Sequence, residues 1–180
     1  MAQFAEYQHS QYFTSPHEVD VPLDVPVVFL AGPVQGAPNY QDRFARHILE
    51  QRPDVAVASP RRTVEDQALF DADEQVRWEI ESRERAFMFH MGVTGIWLAA
   101  QEDDPTYPAG RAYAQTTRIE LGETVGRYVA SGGVVRFEVG IDPAYTGGSE
   151  GYIRRLMAYY GLSVSSSEDE FLERLVARID

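Results

Sequence analysis

The chain has 180 residues, of which 44% are hydrophobic and 12% aromatic, so it has enough apolar material for one compact domain and is not wholly disordered. It has no cysteine, which excludes disulfide scaffolds, thiolate zinc sites and cysteine nucleophiles. The net charge is −12 and each third of the chain is negative, so neither nucleic acid nor an anionic membrane is an expected partner. The first arginine is Arg43 and no apolar stretch is long enough for a bilayer, which predicts a soluble, cytoplasmic protein.

Residues 1–26 differ in composition from the rest of the chain. Three prolines follow aromatic side chains that lie among Gln, Ser and His, namely Phe4, Tyr7, Tyr12 and Phe13. This composition predicts an extended N-terminal arm without a regular element, followed by a single domain over residues 27–180. Four aromatic residues are too many for a solvated tail, so we expect the arm to pack on its own domain or on a neighbouring subunit.

From Val27 onward, apolar runs alternate with amphipathic segments. The runs predict four strands and a brief fifth one, at Val27–Ala31, Val55–Ala58, Val93–Ala99, Val134–Val139 and Leu162–Val164. The amphipathic segments predict helices at Tyr40–Gln51, Glu74–Met91, Thr117–Ala130, Tyr152–Tyr160 and Glu168–Ile179. Ser167 and Glu170 have the spacing of a capping box at the start of the last helix. The alternation predicts a three-layer α/β fold, with a mostly parallel sheet of four to five strands and helices on both faces.

Several familiar motifs are present only in part. Gly147–Gly151 matches the nucleophile elbow of hydrolases, but it does not follow a strand directly and no histidine comes after it. Gly32 and Gly36 do not complete a dinucleotide-binding fingerprint, and the four histidines lack metal-ligand spacing. The acidic clusters at Asp71–Glu74 and Glu102–Asp104 are typical of solvated loops. We therefore expect no metal and no redox cofactor.

Glu120 stands at a place where a carboxylate would be useful. The predicted helix starts at Thr117, which has capping-box spacing to Glu120, so one interpretation is a glutamate that only caps the helix. In the other interpretation, the positive helix end and the nearby Arg118 favour an ionised carboxylate. In parallel sheets the ligand crevice lies beyond the carboxyl ends of the strands, and an ionised carboxylate there is suited to attack on the anomeric carbon of a sugar.

Glu79 is the candidate for a second carboxyl group. Glycosidic chemistry uses two such groups, one that attacks and one that protonates or positions the leaving group. The alternative is a surface ion pair between Glu79 and Arg83, four residues on. Trp78 beside it would offer a flat face to a sugar or base, or else be buried in the core.

Four motifs occur in an order that resembles a known family. They are VFLAGP at Val28–Pro33, SPR at Ser59–Arg61, QVRWE at Gln75–Glu79 and TTRIELG at Thr116–Gly122. Over residues 28–179 the sequence resembles nucleoside 2-deoxyribosyltransferase-like proteins. That resemblance implies a flavodoxin-like, Rossmann-like fold and the exchange of bases on a 2-deoxyribose through a covalent glycosyl-enzyme.

The resemblance also implies roles for individual residues. Glu120 would be the nucleophile, and Glu79 would lie near the substrate. Glu79 is also our candidate for the group that positions or protonates the leaving base. The surroundings of the substrate would comprise Gly32, Pro33, Trp78, Thr117 and Arg118. A phosphate on the substrate would favour Arg61, Arg62 or Arg118 as partners, because arginine binds phosphate oxygens bidentately. The alternative is that these arginines are ordinary ion-pair partners in a very acidic protein.

One departure from the family pattern leaves the function open. Some members place an aspartate that holds the sugar six residues before the nucleophile, where this chain has Ala114. The first hypothesis is transfer or hydrolysis of an N-glycosidic bond in a nucleoside or nucleotide. The alternative is a non-catalytic domain that senses a nucleotide or nucleoside derivative with the same pocket. The arm aromatics and the long loop before Thr116 predict a homo-oligomer, most simply a dimer.

Overall fold

A computed structural model describes residues 8–88, 91–105 and 107–179 of the chain. Its strands are β1 (Tyr12–Thr14), β2 (Val27–Ala31), β3 (Ala56–Ser59), β4 (Val93–Leu98) and β5 (Phe137–Ile141). Its helices are α1 (Gln41–Gln51), α2 (Val64–Gln67), α3 (Ala72–Phe87), α4 (Gln115–Ala130), α5 (Glu150–Tyr159) and α6 (Glu168–Val176). The strands form one sheet in the order β1-β3-β2-β4-β5, and every neighbouring pair is parallel.

Helices cover both faces of this sheet. The strands β2 to β5 are buried along their whole length, as expected of a parallel sheet between two helical layers. On one face α3 packs against β2 and β4, with α4 beside it. On the other face α1 packs against α6, where Phe44 and Phe171 enclose Trp97 of β4. The predicted three-layer, Rossmann-like α/β fold is confirmed.

The strand order places a crevice between β2 and β4. The chain runs from β2 outward to β3, then returns past β2 to β4 and continues outward to β5. Ligands in such sheets bind beyond the carboxyl ends of the strands where this direction reverses. At the end of β2, a Cβ on Gly32 would lie 1.9 Å from Tyr40 Oη and 2.4 Å from the Trp97 carbonyl oxygen, so only glycine fits this close approach.

The fifth strand comes from the N-terminal arm. Tyr12–Thr14 pairs with β3 at the edge of the sheet, so the expectation of an arm without a regular element is wrong. The predicted strand at Leu162–Val164 is also wrong, because that region contributes only a bridge between Gly140 and Ser165. Tyr12 and Phe13 pack on their own domain, which was one of the two expectations for the arm. Phe4 and Tyr7 lie outside the described residues.

Several element boundaries differ from those predicted. The strand predicted at Val134–Val139 is shifted to Phe137–Ile141, because Val134 is exposed just after the turn at Gly132 and Gly133. The acidic loop after β3 contains the short helix α2, and α3 ends at Phe87 rather than Met91.

The predicted cap of α6 is confirmed. Ser167 Oγ accepts a hydrogen bond from the Glu170 backbone N–H at 3.2 Å. In the part of the chain that the structure describes, no helix is long and apolar enough to cross a membrane.

Candidate active site

Glu120 lies in the second turn of α4, on the buried side of the helix. The helix begins at Gln115, two residues before the predicted start, and its N-cap residue Ala114 adopts a left-handed conformation (φ 53°) with no side-chain cap. Thr117 is therefore inside the helix rather than at its cap, although it is buried beside the site. Because Glu120 is 8% exposed and lies beyond the first turn, the helix end does not account for its electrostatic environment.

The cation that contacts Glu120 is Arg83 of α3. Its Nη1 donates to Glu120 Oε1 at 3.0 Å and its Nη2 to Glu123 Oε2 at 2.8 Å, and only 5% of Arg83 is exposed. The alternative of a surface ion pair between Glu79 and Arg83 is not observed. The Arg83 guanidinium forms its ion pairs with Glu120 and Glu123 of α4. Arg118, expected to favour ionisation of Glu120, donates to Tyr145 Oη and to the Gly147 carbonyl oxygen.

Burial dominates the titration of both carboxyl groups. Burial, followed by the negative charge of Glu79, raises the pKa of Glu120 to about 8, although Arg83 opposes the rise. Burial also raises the pKa of Glu79, against the opposing effects of Gln75 and Arg83. The expected ionisation-favouring shift at Glu120 is thus wrong. The crevice instead holds two mutually interacting carboxyl groups next to one buried arginine, and such groups titrate as a pair.

The side chain of Gln75 fixes the position of Glu79. Gln75 Nε2 donates to Glu79 Oε1 at 2.8 Å and to the Pro60 carbonyl oxygen at 3.0 Å. Its Oε1 accepts hydrogen bonds from Ser15 Oγ at 2.7 Å and Arg62 Nε at 2.8 Å. Every polar atom of this amide is therefore used, and α3 is tied to the ends of β1 and β3. Such a support holds a carboxyl group in one orientation.

Trp78 is buried, which was the alternative interpretation from the sequence. Only 5% of the residue is exposed, and its indole Nε1 donates to the His17 carbonyl oxygen at 2.7 Å. Its ring centroid lies 6.4 Å from that of Phe29 in β2. Trp78 therefore anchors the N-terminal arm to α3 and offers no open face to a ligand.

Tyrosines that the motifs did not indicate complete the crevice. Tyr40 precedes α1, and its high pKa results mainly from burial, with Glu120 among the groups that contribute. Tyr113 Oη donates to the carbonyl oxygens of Ala99 and Ala100 at 3.2 and 3.1 Å, which closes the loop after β4 over the sheet. The Tyr113 ring also contacts that of Tyr145. Of these three tyrosines only Tyr113 lies in the long loop after β4, where the tyrosine content of the loop was its signal in the sequence.

Arg61 supports the loop after β2. Gly32 and Pro33, which the resemblance places near the substrate, are buried just after the carboxyl end of β2. Arg61 Nη2 donates to three carbonyl oxygens of this loop, at Val34, Ala37 and Pro38. The guanidinium therefore has a structural task that the sequence did not indicate.

Comparisons with known proteins do not assign the chain to a family. A scan against protein-family models and a search of curated proteins both gave no match. Within the described residues, no group of three or more His, Asp or Glu side chains is arranged to hold a metal ion. The features that bear on function are therefore the surroundings of Glu120 and the four sequence motifs.

Proposed function

We propose that the protein cleaves or transfers the N-glycosidic bond of a nucleoside or nucleotide, including 2-deoxy forms, through a covalent glycosyl-enzyme on Glu120. The observation that carries the proposal is the buried Glu120, which contacts Arg83 and whose pKa is raised in part by the negative charge of the partly buried Glu79. Retaining glycosidases use such a pair, one carboxylate as nucleophile and one carboxylic acid as proton donor. The resemblance to nucleoside 2-deoxyribosyltransferase-like proteins supports the same assignment.

The surroundings of the two carboxyl groups suggest a division of roles. Arg83 donates a charged hydrogen bond to Glu120, whereas Glu79 accepts its hydrogen bond from the neutral amide of Gln75. Because the pKa of Glu120 is about 8, the resting pair holds its proton on Glu120 at neutral pH. The reactive arrangement is the one in which this proton has moved to Glu79 and Glu120 is the carboxylate beside Arg83. A carboxylate oxygen of Glu120 forms a bond to the anomeric carbon while the C–N bond breaks. Its electron pair leaves with the base, which takes the proton from Glu79.

The second half of the reaction reverses these steps. Water or a second base attacks the anomeric carbon and gives its proton to Glu79, and Glu120 leaves as a carboxylate. Hydrolysis and transfer differ only in the acceptor. The burial of the pair favours transfer, because a closed site limits the access of water.

A sensing function is the second candidate, and Ala114 is the observation that favours it. This residue stands where members of the resembling family hold the sugar with an aspartate. A domain without that contact would retain the pocket and bind a nucleoside derivative without breaking its glycosidic bond.

Base release separates these two functions. The protein is incubated with a panel of ribo- and deoxynucleosides and their 5′-monophosphates, with and without a second free base, and products are separated by chromatography. We expect release of the base, and formation of a new nucleoside when the second base is present. Saturable binding without any released base would support the sensing domain instead.

The pH dependence of kcat/KM is expected to be bell-shaped. The active form carries one proton on the Glu79–Glu120 pair, so activity falls at low pH, where both groups are protonated, and again when the last proton leaves, at about pH 8. Because the pKa of both groups is raised, the acid limb lies above the usual glutamate range. Steady-state kinetics with a neutral nucleoside test this profile, and the same activity from about pH 5 to about pH 9 would contradict it.

The protein is also proposed to form a homodimer, through a different surface from the one expected. Tyr12 and Phe13 pack on their own domain, so these aromatic side chains do not indicate a second subunit. Exposed apolar side chains instead occur along α2, the turn after it and the first half of α3, namely Val64, Leu69, Phe70, Val76 and Ile80. Burial of such a patch by a second copy is the simplest symmetric solution.

Light scattering tests the dimer. We expect about twice the chain mass of 20.3 kDa at micromolar concentration, and a monomer for Ile80→Glu, which places a charge in the patch. Ile119→Glu, at an exposed position on α4, is the matched control and is expected to leave the mass unchanged. A wild-type protein that stays at the mass of one chain would contradict the proposal.

A further inference from the structure

A pocket lies beside the carboxyl ends of β1 and β3, apart from the Glu120 site. Its volume is about 200 Å³, and it is lined by Gln8, His9, Tyr12, Thr14, Asn39, Asp42, Arg61, Arg62 and Thr63. The crevice with Glu120 lies beyond β2 and β4, so the two sites lie at different strand pairs of the sheet. Pockets for drug-sized ligands are typically about 300–1,000 Å³, so this one is suited to a smaller molecule.

The arginines that line this pocket differ in how their charges are balanced. Arg62 is buried and pairs with Glu74, with 2.8 Å between Nη2 and Oε2. Arg61 is partly buried, and this burial lowers its pKa. Within residues 8–88, 91–105 and 107–179, however, no carboxylate lies within ion-pair distance of Arg61. Arg61 therefore stands at the wall of the pocket without an ion pair, and the carboxylates of Asp42 and Glu102 act on its charge only from beyond ion-pair distance.

The hydrogen bonds of Arg61 leave one end of its guanidinium available. A guanidinium has five N–H donors. Nε donates to Gln41 Oε1 at 2.9 Å, and Nη2 donates to the three carbonyl oxygens of the loop after β2. Neither N–H of Nη1 has an acceptor among the residues that the structure describes. Nη1 is not among the fully buried polar atoms that lack a partner, so it is accessible, and an oxyanion in the pocket would accept charge-assisted hydrogen bonds from it.

Asp42 provides a hydrogen-bond acceptor in the same pocket. Its Oδ1 accepts from Tyr12 Oη at 2.9 Å and its Oδ2 from Asn39 Nδ2 at 2.8 Å, which hold the carboxylate in place. Each carboxylate oxygen accepts more than one hydrogen bond, so Asp42 also suits a hydroxyl or amino group of a ligand. The same negative charge disfavours a bare anion, which makes the pocket selective for a ligand that carries both groups.

We propose that this pocket binds a small hydroxy- or amino-substituted oxyanion, either a carboxylate or a phosphate monoester. The anionic oxygens accept from Nη1 of Arg61, and the neighbouring hydroxyl or amino group donates to Asp42. This proposal does not depend on the chemistry proposed for Glu120. Both kinds of ligand have an oxyanion and a hydrogen-bond donor that is a few covalent bonds away from it.

Calorimetric titration of the full chain with four probes tests the proposal. Acetate and inorganic phosphate are the bare anions, and glycolate and glycerol 3-phosphate are their hydroxyl-bearing counterparts. We expect saturable binding of at least one hydroxyl-bearing probe, more tightly than its bare counterpart. Which of the two binds identifies the anionic group as carboxylate or phosphate.

Three variants locate the binding. Arg61→Gln is expected to weaken it about tenfold or more, because it removes a charge-assisted contact. Asp42→Asn is expected to remove the preference for the hydroxyl-bearing probe without disturbing the carbonyl contacts of Arg61. Arg155→Gln, an exposed arginine on α5, is the matched control and is expected to bind like the wild type. Circular dichroism and thermal unfolding establish that each variant is folded.

The outcomes that overturn the proposal are equally specific. It fails if neither hydroxyl-bearing probe binds, if a folded Arg61→Gln binds like the wild type, or if Asp42→Asn keeps the full preference. It also fails if Arg155→Gln weakens binding as much as Arg61→Gln. Because Glu120→Gln is expected to retain this binding, failure here is distinguishable from failure of the glycosidic function.

Discussion

Glu120→Gln is expected to abolish base release while leaving the fold intact. Glutamine keeps an oxygen that accepts from Arg83 but has no carboxylate to form a bond to the anomeric carbon. Loss of a nucleophile of this kind costs at least about a thousandfold in kcat. The assay is chromatographic detection of free base with the best substrate of the panel.

Glu123→Gln is the matched control. Glu123 pairs with the same Arg83, at 2.8 Å from Nη2, but its side chain is 39% exposed and it takes no part in the proposed chemistry. We expect this variant to keep turnover of the same order as the wild type. Full activity of Glu120→Gln would refute the role of Glu120 as nucleophile.

Glu120→Gln is also expected to stabilise the protein at neutral and alkaline pH. The pKa of Glu120 is raised from 4.5 to about 8, so the folded state binds a proton that the unfolded state releases between these values. The free energy of unfolding therefore falls as pH rises through this window, by at most about 1.4 kcal/mol per pH unit. Glutamine has no charge to bury and removes this slope. Urea denaturation across the window, for wild type and variant, measures the difference.

The sequence predicted the central strands because their residues carry an unambiguous signal. Val27–Ala31 and Val93–Leu98 are buried on both faces and appear as continuous apolar runs. Tyr12–Thr14 carries no such signal, because a three-residue edge strand is half-buried and is bounded by polar residues. Its pairing with β3 is defined by tertiary contacts such as the Trp78 bond to the His17 carbonyl oxygen. Leu162–Val164 has the apolar pattern of a strand, but these residues do not pair with a neighbouring strand.

The sequence indicated the two carboxyl groups of the candidate site but not the arginine that contacts Glu120. Glu79 and Arg83 are four residues apart on one helix, which indicated a local pair. The observed partner of Arg83 lies on α4, 37 residues away in sequence, and the contact depends on how α3 and α4 pack side by side. Because helix spacing alone does not define interhelical contacts, the raised pKa of Glu120 was not foreseeable either. It results from burial at a helix interface.

Arg83→Met is expected to be the most destabilising single change at the site. It removes the cation from a pair in which Arg83 and Glu120 are 5% and 8% exposed, and it leaves Glu120 buried without its counter-charge. Breaking a buried pair in this way costs about 3–5 kcal/mol. The full cost is expected above about pH 8, where Glu120 is ionised, and a smaller cost at lower pH, where its proton neutralises it.

A double-mutant cycle isolates the reason for this loss. If the cost arises from the uncompensated Glu120 carboxylate, Arg83→Met is expected to be far less damaging in the Glu120→Gln background, since glutamine needs no counter-charge. The free energies of unfolding of the four proteins, from urea denaturation at alkaline pH, give the coupling. Equal costs in the two backgrounds would mean that Arg83 stabilises the fold through its packing over Phe29, 5.9 Å from the ring centroid, and not by its charge on Glu120. A large coupling would make Arg83 the group that allows a carboxylate to exist at the interface of α3 and α4 at all.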